Sequence, residues 1–315
     1  PLTGKNSEIG QSIIKSTRLA INKINNTSIE IIPRDTKSNP TDTLGAAKEL
    51  GKLGIKIIIG PVFNKNQAYL DELKEITFIS LTNKDDNESN NIINAGINAT
   101  SQLNGIKKFI ELNEIKKTIF LTPNVDYKNE IEKAIDNSKI KILGNYIYET
   151  DPTKLTSQIE EITNYKRRKQ NLEDEILRLE KSNQSNKERL IEKLKKRDTL
   201  GSVKFDSVII ADFDESLKSV TTSLLYTDIS PKKKYFITLN QWFDQSLLAE
   251  ASSQPLYFPS INKKNYENFS LEYFNKFGQY PNELSFLSFD LVGLVYYLIL
   301  QNNLIIEKKM FKKKT

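Results

Sequence analysis

One stretch of the chain, residues 35–64, spells a complete helix-and-strand crossover of an α/β sheet. Pro40 breaks the preceding segment, and Thr41 is placed to cap a helix whose apolar side chains recur at helical spacing. Ile55 to Ile59 then form an almost continuous apolar run, which is typical of a strand covered on both faces. The Gly60–Pro61 turn follows at the carboxyl end of this strand, where open α/β sheets hold their ligands. The crossover therefore predicts a parallel sheet with a glycine-containing ligand edge.

The order of the motifs along the chain resembles that of a known family. The sequence GIKIIIGP (54–61) precedes a strand ending in FISLTN (78–83), then IINAG (92–96), and later TIFLT (118–122) followed by VDY (125–127). This order is similar to that of the type I periplasmic binding proteins, the family that contains the leucine/isoleucine/valine-binding protein. The resemblance implies an α/β protein of type I periplasmic-binding fold, with two doubly wound lobes joined by a hinge.

Three later motifs resemble one branch of that family, the penicillin-binding-protein activators of Gram-negative envelopes. They are FDSVIIAD (205–212), LNQWFD (239–244) and FGQYP (277–281). The resemblance covers almost the whole chain. It implies a non-catalytic periplasmic lipoprotein that binds a penicillin-binding protein, a peptidoglycan synthase, and activates it. An outer-membrane anchor would be a lipidated cysteine upstream of Pro1.

The composition excludes several kinds of chemistry. The chain has neither cysteine nor histidine, which removes thiol nucleophiles, imidazole acid–base catalysis and ordinary zinc sites. The net charge of +6 comes from lysines spread over every segment, without a nucleic-acid recognition motif, so we expect no nucleic-acid partner. The longest apolar run, Leu291–Leu300, is too short for a transmembrane segment and predicts a buried helix. We expect no cofactor and no metal.

Acidic side chains leave a hydrolase open as an alternative of a different class. Asp85 and Asp86 are adjacent, and Asp212, Asp214 and Glu215 form a second group. Paired carboxylates can catalyse hydrolysis, but the first pair lies in a polar loop. The second group follows a strand and opens a helix, where acidic residues stabilise the first turn. We therefore expect a protein that is not an enzyme.

The alternation of strands and helices predicts two lobes that are discontinuous in sequence. Residues 1–97 and 242–307 would form the first lobe, and residues 98–241 the second. A strand is expected at Ser28–Ile32. A helical insertion at 153–200 would form an exposed hairpin, with a first arm from Leu155 to Lys181 that is about 40 Å long. Residues 1–4 resemble the loop after the first strand of the family, and relatives continue beyond Thr315, so both ends are expected to be truncated.

Strand ends give the candidate ligand-binding residues, because an open α/β sheet presents these positions to a ligand. At residues 94–96 the chain lacks the arginine that amino-acid binders of the family tend to have, so we expect poor binding of ordinary amino acids. The runner-up hypothesis is a receptor that delivers amino acids or similar small polar ligands to an ABC transporter permease. In either case the cleft is predicted to be lined by Asn64, Thr82, Asn83, Tyr127, Asp212 and Trp242.

Overall fold

The computed structural model describes residues 1–26, 29–84, 89–241 and 244–301. The chain forms two compact units, here called unit 1 and unit 2. Unit 1 runs from Pro1 to Asn98 and resumes at Ile261, and unit 2 runs from Ala99 to Ser260. The chain thus returns to unit 1 after Ser260, later than the expected boundary at 241/242. The reason is a short strand at Leu256–Tyr257, which pairs with the sheet of unit 2.

Unit 1 contains a parallel three-stranded sheet in the order β1-β2-β3. The pairs Ile58↔Phe78 and Phe78↔Ile92 set its register. Two helices precede the sheet and two follow the return from unit 2. The elements are α1 (Ser7–Ile24), α2 (Pro40–Lys52), β1 (Ile57–Ile59), β2 (Thr77–Ser80), β3 (Ile92–Asn94), α10 (Lys263–Phe277) and α11 (Glu283–Gln301).

Both faces of this sheet are covered, as its apolar strands predict. Phe78 packs in a cluster with Ala47 of α2. The next residue, Ile79, points to the other face and packs with Leu291 and Val295 of α11. The apolar helix near the end of the chain therefore covers one face of the sheet of unit 1.

Helix α11 is longer than its apolar run. It has 19 residues with a mean hydropathy of 1.6, so by length and composition it could cross a membrane. The apolar run Leu291–Leu300 alone was expected to be too short to cross a membrane. The helix is longer than this run because it starts at Glu283 and includes polar residues. Two of these, Ser285 and Ser288, are buried against α1, where Ser12 and Ser16 are their hydrogen-bond partners.

Two expectations for unit 1 were wrong. The N-cap of α2 is Asn39 and not Thr41, because the side chain of Asn39 accepts a hydrogen bond from the backbone N–H of Asp42. Pro40 is the first residue of the helix. The described part of the predicted strand, Ile29 to Ile32, forms no strand. A strand exists through its hydrogen-bonded ladder, and the only ladder that β1 forms among the described residues is with β2.

Unit 2 is built on a five-stranded parallel sheet in the order β5-β4-β6-β7-β8. All four residues of its central strand β6 are buried, because helices cover both faces. The elements are α3 (Ala99–Leu112), β4 (Thr118–Pro123), α4 (Lys128–Ser138), β5 (Gly144–Tyr148), α5 (Pro152–Ile162), α6 (Tyr165–Glu180), α7 (Lys187–Lys195), β6 (Ser207–Ile210), α8 (Asp214–Tyr226), β7 (Tyr235–Thr238), α9 (Gln245–Leu248) and β8 (Leu256–Tyr257).

The first arm of the helical insertion, expected as one helix from Leu155 to Lys181, is divided into two helices. The first helix, α5, ends at Ile162, and Asn164 has a left-handed backbone (φ 51°) that separates it from α6. Leu155 and Ile159 of α5 are fully buried in a core cluster beneath the sheet of unit 2. Helix α5 is thus part of the core, and only α6 and α7 form the peripheral segment.

Candidate functional site

A group of buried polar side chains lies at the carboxyl edge of the sheet in unit 2. Asp212 follows β6, Tyr127 follows β4, and Tyr148 is the last residue of β5. The strand order β5-β4-β6 brings these three strand ends together. Sequence reasoning identified Asp212 and Tyr127 but missed Tyr148, although an aromatic residue at the end of a predicted strand was visible.

Asp212 is the centre of this group. The residue is only 4% exposed. The hydroxyl of Tyr148 donates to Oδ2 at 2.5 Å, and the hydroxyl of Tyr127 donates to Oδ1 at 3.4 Å. The backbone N–H of Phe213 also donates to Oδ1, at 2.9 Å. Both carboxylate oxygens therefore already accept hydrogen bonds from the chain itself.

Burial dominates the electrostatics of this triad. It raises the pKa of Asp212 above its ordinary value, although the donors from Tyr148, Phe213 and Tyr127 act in the opposite direction. Burial and the nearby Asp212 carboxylate also raise the pKa of both tyrosines. The phenols therefore remain protonated and act as donors at neutral pH.

We predict that Asp212→Asn reduces the dependence of stability on pH. The folded-state pKa of Asp212 is raised, so its stabilising contribution is complete below about pH 3.8 and is lost as pH rises through the higher folded value. The difference in unfolding free energy between wild type and variant should therefore shift in favour of the variant as pH increases. Urea unfolding of both proteins from pH 4 to pH 8 measures this difference. A constant difference across that range would contradict the raised pKa.

Neighbouring residues at the carboxyl edge of the unit 2 sheet also form hydrogen bonds within the chain. The side-chain amide of Gln241 donates to the carbonyl of Leu239 at 2.9 Å, and the backbone N–H of Asn240 donates to the side chain of Gln102 at 2.7 Å. Tyr127 packs edge-to-face on Phe213, with ring centroids 6.2 Å apart. The predicted site residue Trp242 lies outside the described residues.

The carboxyl edge of unit 1 holds the other three predicted residues. Thr82 is buried, and its backbone carbonyl and its hydroxyl accept the N–H groups of Gly96 and Lys84. A Cβ atom at Gly96 would lie 2.3 Å from the carbonyl oxygen of Thr82, so this close approach requires glycine. Asn64 is half-buried at the start of a short 3-10 helix, and Asn83 is exposed.

Two amides at this edge were not predicted as site residues. The side chain of Gln67 donates to Oδ1 of Asn94 at 2.7 Å, and the side chain of Asn94 donates to the carbonyl of Lys84 at 2.8 Å. Asn94 thus uses its amide to hold the loop at Lys84, at the position where amino-acid binders of the family tend to have an arginine.

The sequence suggested two acidic groups as candidates for a hydrolase, at Asp85–Asp86 and at Asp212–Glu215. Asp85 and Asp86 lie outside the described residues. Among the residues that are described, no group of three or more acidic, histidine or cysteine side chains could hold a metal ion.

The family model for periplasmic binding proteins matches residues 1–166. The chain belongs to this family. Its two parallel α/β sheets are those of the type I periplasmic-binding fold. A search of curated protein sequences found no match.

Solved structures agree on the fold. A putative branched-chain amino acid ABC transporter protein from Rhodospirillum rubrum matches with a TM-score of 0.67 at 12% identity, over 94% of this chain and 81% of that one. A periplasmic ligand-binding protein of a branched-chain amino acid ABC transporter from Burkholderia xenovorans gives 0.58 at 11% identity, over 95% and 76%. Full-length LpoA from Haemophilus influenzae gives 0.64 at 13% identity, over 93% of this chain and 48% of its own length. This chain therefore spans about half of LpoA.

Proposed function

We propose that this protein is a non-catalytic periplasmic protein that binds a penicillin-binding protein and activates its peptidoglycan synthesis. The observation on which the proposal rests is that Asp212 is buried and that its carboxylate is already hydrogen-bonded by Tyr148, Tyr127 and the N–H of Phe213. A receptor for amino acids needs an accessible acceptor for the ligand ammonium, because a buried unpaired charge costs several kcal/mol. Here Asp212 is 4% exposed, and its carboxylate accepts three hydrogen bonds from its own chain.

Two further features support this role. The activator-like motif at 205–212 ends at Asp212 itself. LpoA, a penicillin-binding-protein activator, shares the fold over 93% of this chain. An activator acts through a protein surface and does not require a tightly held small ligand.

The segment from residue 170 to residue 197, here called the arm, is the proposed contact surface. It contains most of α6, all of α7 and the turn between them. Helix α7 has no buried residue, and Leu177 of α6 is 51% exposed. Such a segment adds little to the core of unit 2 but offers a large surface to a partner.

A capture experiment tests the proposed partner. The immobilised protein is incubated with a Gram-negative envelope extract that has been labelled with a fluorescent penicillin, which marks penicillin-binding proteins covalently. We expect retention of a labelled band, and loss of that band when the arm is replaced by a short linker. Absence of any labelled band would overturn the activator role. Equal retention by the arm variant would remove only the arm as the contact surface.

We predict that no ordinary amino acid binds with micromolar affinity. The carboxylate oxygens of Asp212 already accept hydrogen bonds from Tyr148, Tyr127 and the N–H of Phe213, so a ligand ammonium would have to displace these donors. Calorimetric titration with a panel of amino acids gives the answer. A Kd near 1 μM, or about −8 kcal/mol, would instead favour a receptor for an ABC transporter. The Tyr127→Phe and Asn64→Ala variants would then show whether that ligand uses the predicted residues.

A further inference from the structure

Strand β5 forms one edge of the sheet in unit 2. Within the described chain it pairs with β4 alone, so one of its sides has no neighbouring strand. The N–H of Leu143 donates to the carbonyl of Thr118 in β4 at 2.7 Å. Backbone groups of successive strand residues point to alternate sides, so those of Gly144 and Tyr146 point away from β4. These groups can pair with a further strand.

The edge at β5 lacks the protection that exposed edges usually have. Natural edge strands carry charged residues, proline or a bulge, which prevent pairing with another chain. Strand β5 has the sequence GNYIY, which contains neither a charged residue nor proline. Leu143, Tyr146 and Ile147 are large apolar residues that are exposed here. The strand therefore combines open backbone groups with uncovered apolar surface.

Charged residues flank β5 with a defined polarity. Lys139 and Lys141 precede the strand, whereas Glu149 and Asp151 follow it. Glu149 accepts the side-chain amide of Asn124 at 2.9 Å, and Asp151 caps α5. None of the four charged residues forms an ion pair within the part of the chain that the structure describes. Strand β5 thus runs from a basic end to an acidic end.

We propose that two copies of this chain associate through their β5 strands, paired antiparallel about Asn145 into one continuous sheet. A two-fold symmetric interface requires a surface that is complementary to itself. The basic-to-acidic order along β5 meets this requirement when the two strands are antiparallel. In this register the outward-pointing backbone groups of Gly144 oppose those of Tyr146 in the second copy, which completes a hydrogen-bonded pair.

The side chains favour the same register. Leu143 comes to lie opposite Ile147 of the second copy, so two exposed apolar residues cover each other. Lys141 comes to lie opposite Glu149 of the second copy. Moving the centre of the pairing by one residue in either direction would instead set a lysine or a glutamate opposite an apolar side chain. The pairing about Asn145 is therefore the one in which apolar and charged residues both find suitable partners.

The tyrosine side chains also fit this pairing. A Cβ atom added at Gly144 would lie 3.4 Å from the ring of Tyr146 in its own chain, so this ring lies over the glycine. Opposite each Tyr146 the second copy again presents Gly144, which has no side chain to displace the ring. Both rings can therefore keep their positions when the strands pair.

Sedimentation velocity over about a hundredfold range of protein concentration tests the association. We expect the weight-average mass to rise with concentration from that of one chain towards that of two. Amide exchange of the same samples locates the interface. The N–H groups of Gly144 and Tyr146 should exchange at least about tenfold more slowly in the dimer, and that of Tyr257 in β8, at the opposite edge, should not change.

Two results of these measurements would overturn the proposal. One is the mass of a single chain at every concentration. The other is a dimer in which the exchange of Gly144 and Tyr146 is the same as in the monomer, because such a dimer would use another surface.

Charge variants test the antiparallel arrangement. Lys141→Glu and Glu149→Lys each set like charges opposite one another, and the two-fold symmetry repeats the repulsion. Each should therefore weaken dimerisation at least about tenfold. Lys232→Glu is the matched control, since Lys232 is exposed between α8 and β7 and the change of charge is the same. It should dimerise like the wild type, and an equal loss in this control would overturn the pairing as the cause.

Mixing the two variants separates pairing from misfolding. In a heterodimer of Lys141→Glu with Glu149→Lys, opposite charges again lie opposite each other at both positions. An equimolar mixture should therefore recover the dimerisation of the wild type, which a misfolded variant could not do. A mixture that dimerises no better than the separate variants would overturn the antiparallel pairing about Asn145.

Discussion

Replacing residues 153–200 with a short Gly/Ser linker should abolish the cooperative unfolding of unit 2, whereas replacing only the arm, residues 170–197, should leave it intact. The difference lies in α5. Leu155 and Ile159 are 1% and 0% exposed and pack in the core cluster beneath the sheet. Truncating one such side chain costs about 2–5 kcal/mol. Losing both side chains together with the helix would therefore remove much of a typical stability of about 5–15 kcal/mol.

Replacing only the arm should preserve the stability of unit 2, because hydrogen bonds hold the two ends of the arm next to each other. The backbone N–H of Leu200 donates to the carbonyl of Arg168 at 2.9 Å, and the side chain of Arg168 donates to the hydroxyl of Thr199 at 3.0 Å. A few flexible residues can span this short distance with little entropic cost.

Thermal and urea unfolding, followed by circular dichroism, distinguish the two replacements. A matched pair of point variants gives an independent check. Leu155→Ala should be strongly destabilising, and Leu177→Ala, at a 51% exposed position in the arm, should be close to neutral. A cooperative, wild-type-like transition for the longer replacement would show that α5 does not belong to the core.

The sequence predicted the parallel sheets because their strands carry a strong local signal. Val208, Ile209 and Ile210 are all fully buried, and an apolar run of this kind reads as a strand covered on both faces. The crossover at residues 35–64 was predicted for the same reason, since the apolar spacing of a helix and of a buried strand differ clearly.

The elements that sequence reasoning missed depend on a single residue or on a distant partner. The break between α5 and α6 rests on the left-handed backbone of Asn164, which the regular spacing of apolar residues conceals. Strand β8 has only two residues and exists through its pairing with β7. Ile29–Ile32 shows the converse, because a good strand sequence forms no strand without a ladder.

The same limit applies to the candidate site. Residues at the ends of predicted strands could be named, and Tyr127 and Asp212 indeed meet. Their meeting with Tyr148 depends on the strand order β5-β4-β6, which no local pattern encodes. No sequence pattern shows how many hydrogen bonds the Asp212 carboxylate accepts, and this is the feature on which the proposed function depends.

Arg168→Ala should lower the unfolding free energy by about 3 kcal/mol. The side chain is only 6% exposed. Its Nε donates to the carbonyl of Thr163 at 3.0 Å, and its Nη2 donates to the carbonyl of Thr227. Burial lowers the pKa of Arg168, and the negative charge of Asp228 opposes this effect. Removal of the guanidinium takes a shared donor from both carbonyl groups and removes the positive charge of Arg168 that interacts with Asp228.

Arg167→Ala is the matched control, because Arg167 is exposed and forms no hydrogen bond or ion pair among the residues described. It should change the unfolding free energy by less than about 0.5 kcal/mol. Arg168→Lys keeps the charge but loses the fork of donors, so it should fall between the two. Limited proteolysis gives a local readout. Since Arg168 links α6 to Thr199 and to the end of α8, its loss should make the arm more susceptible to cleavage than the rest of unit 2. Equal unfolding free energies for Arg168→Ala and Arg167→Ala would show that the hydrogen bonds of Arg168 contribute nothing to stability. The arm would then have to be held by the packing of α6 on α5 alone.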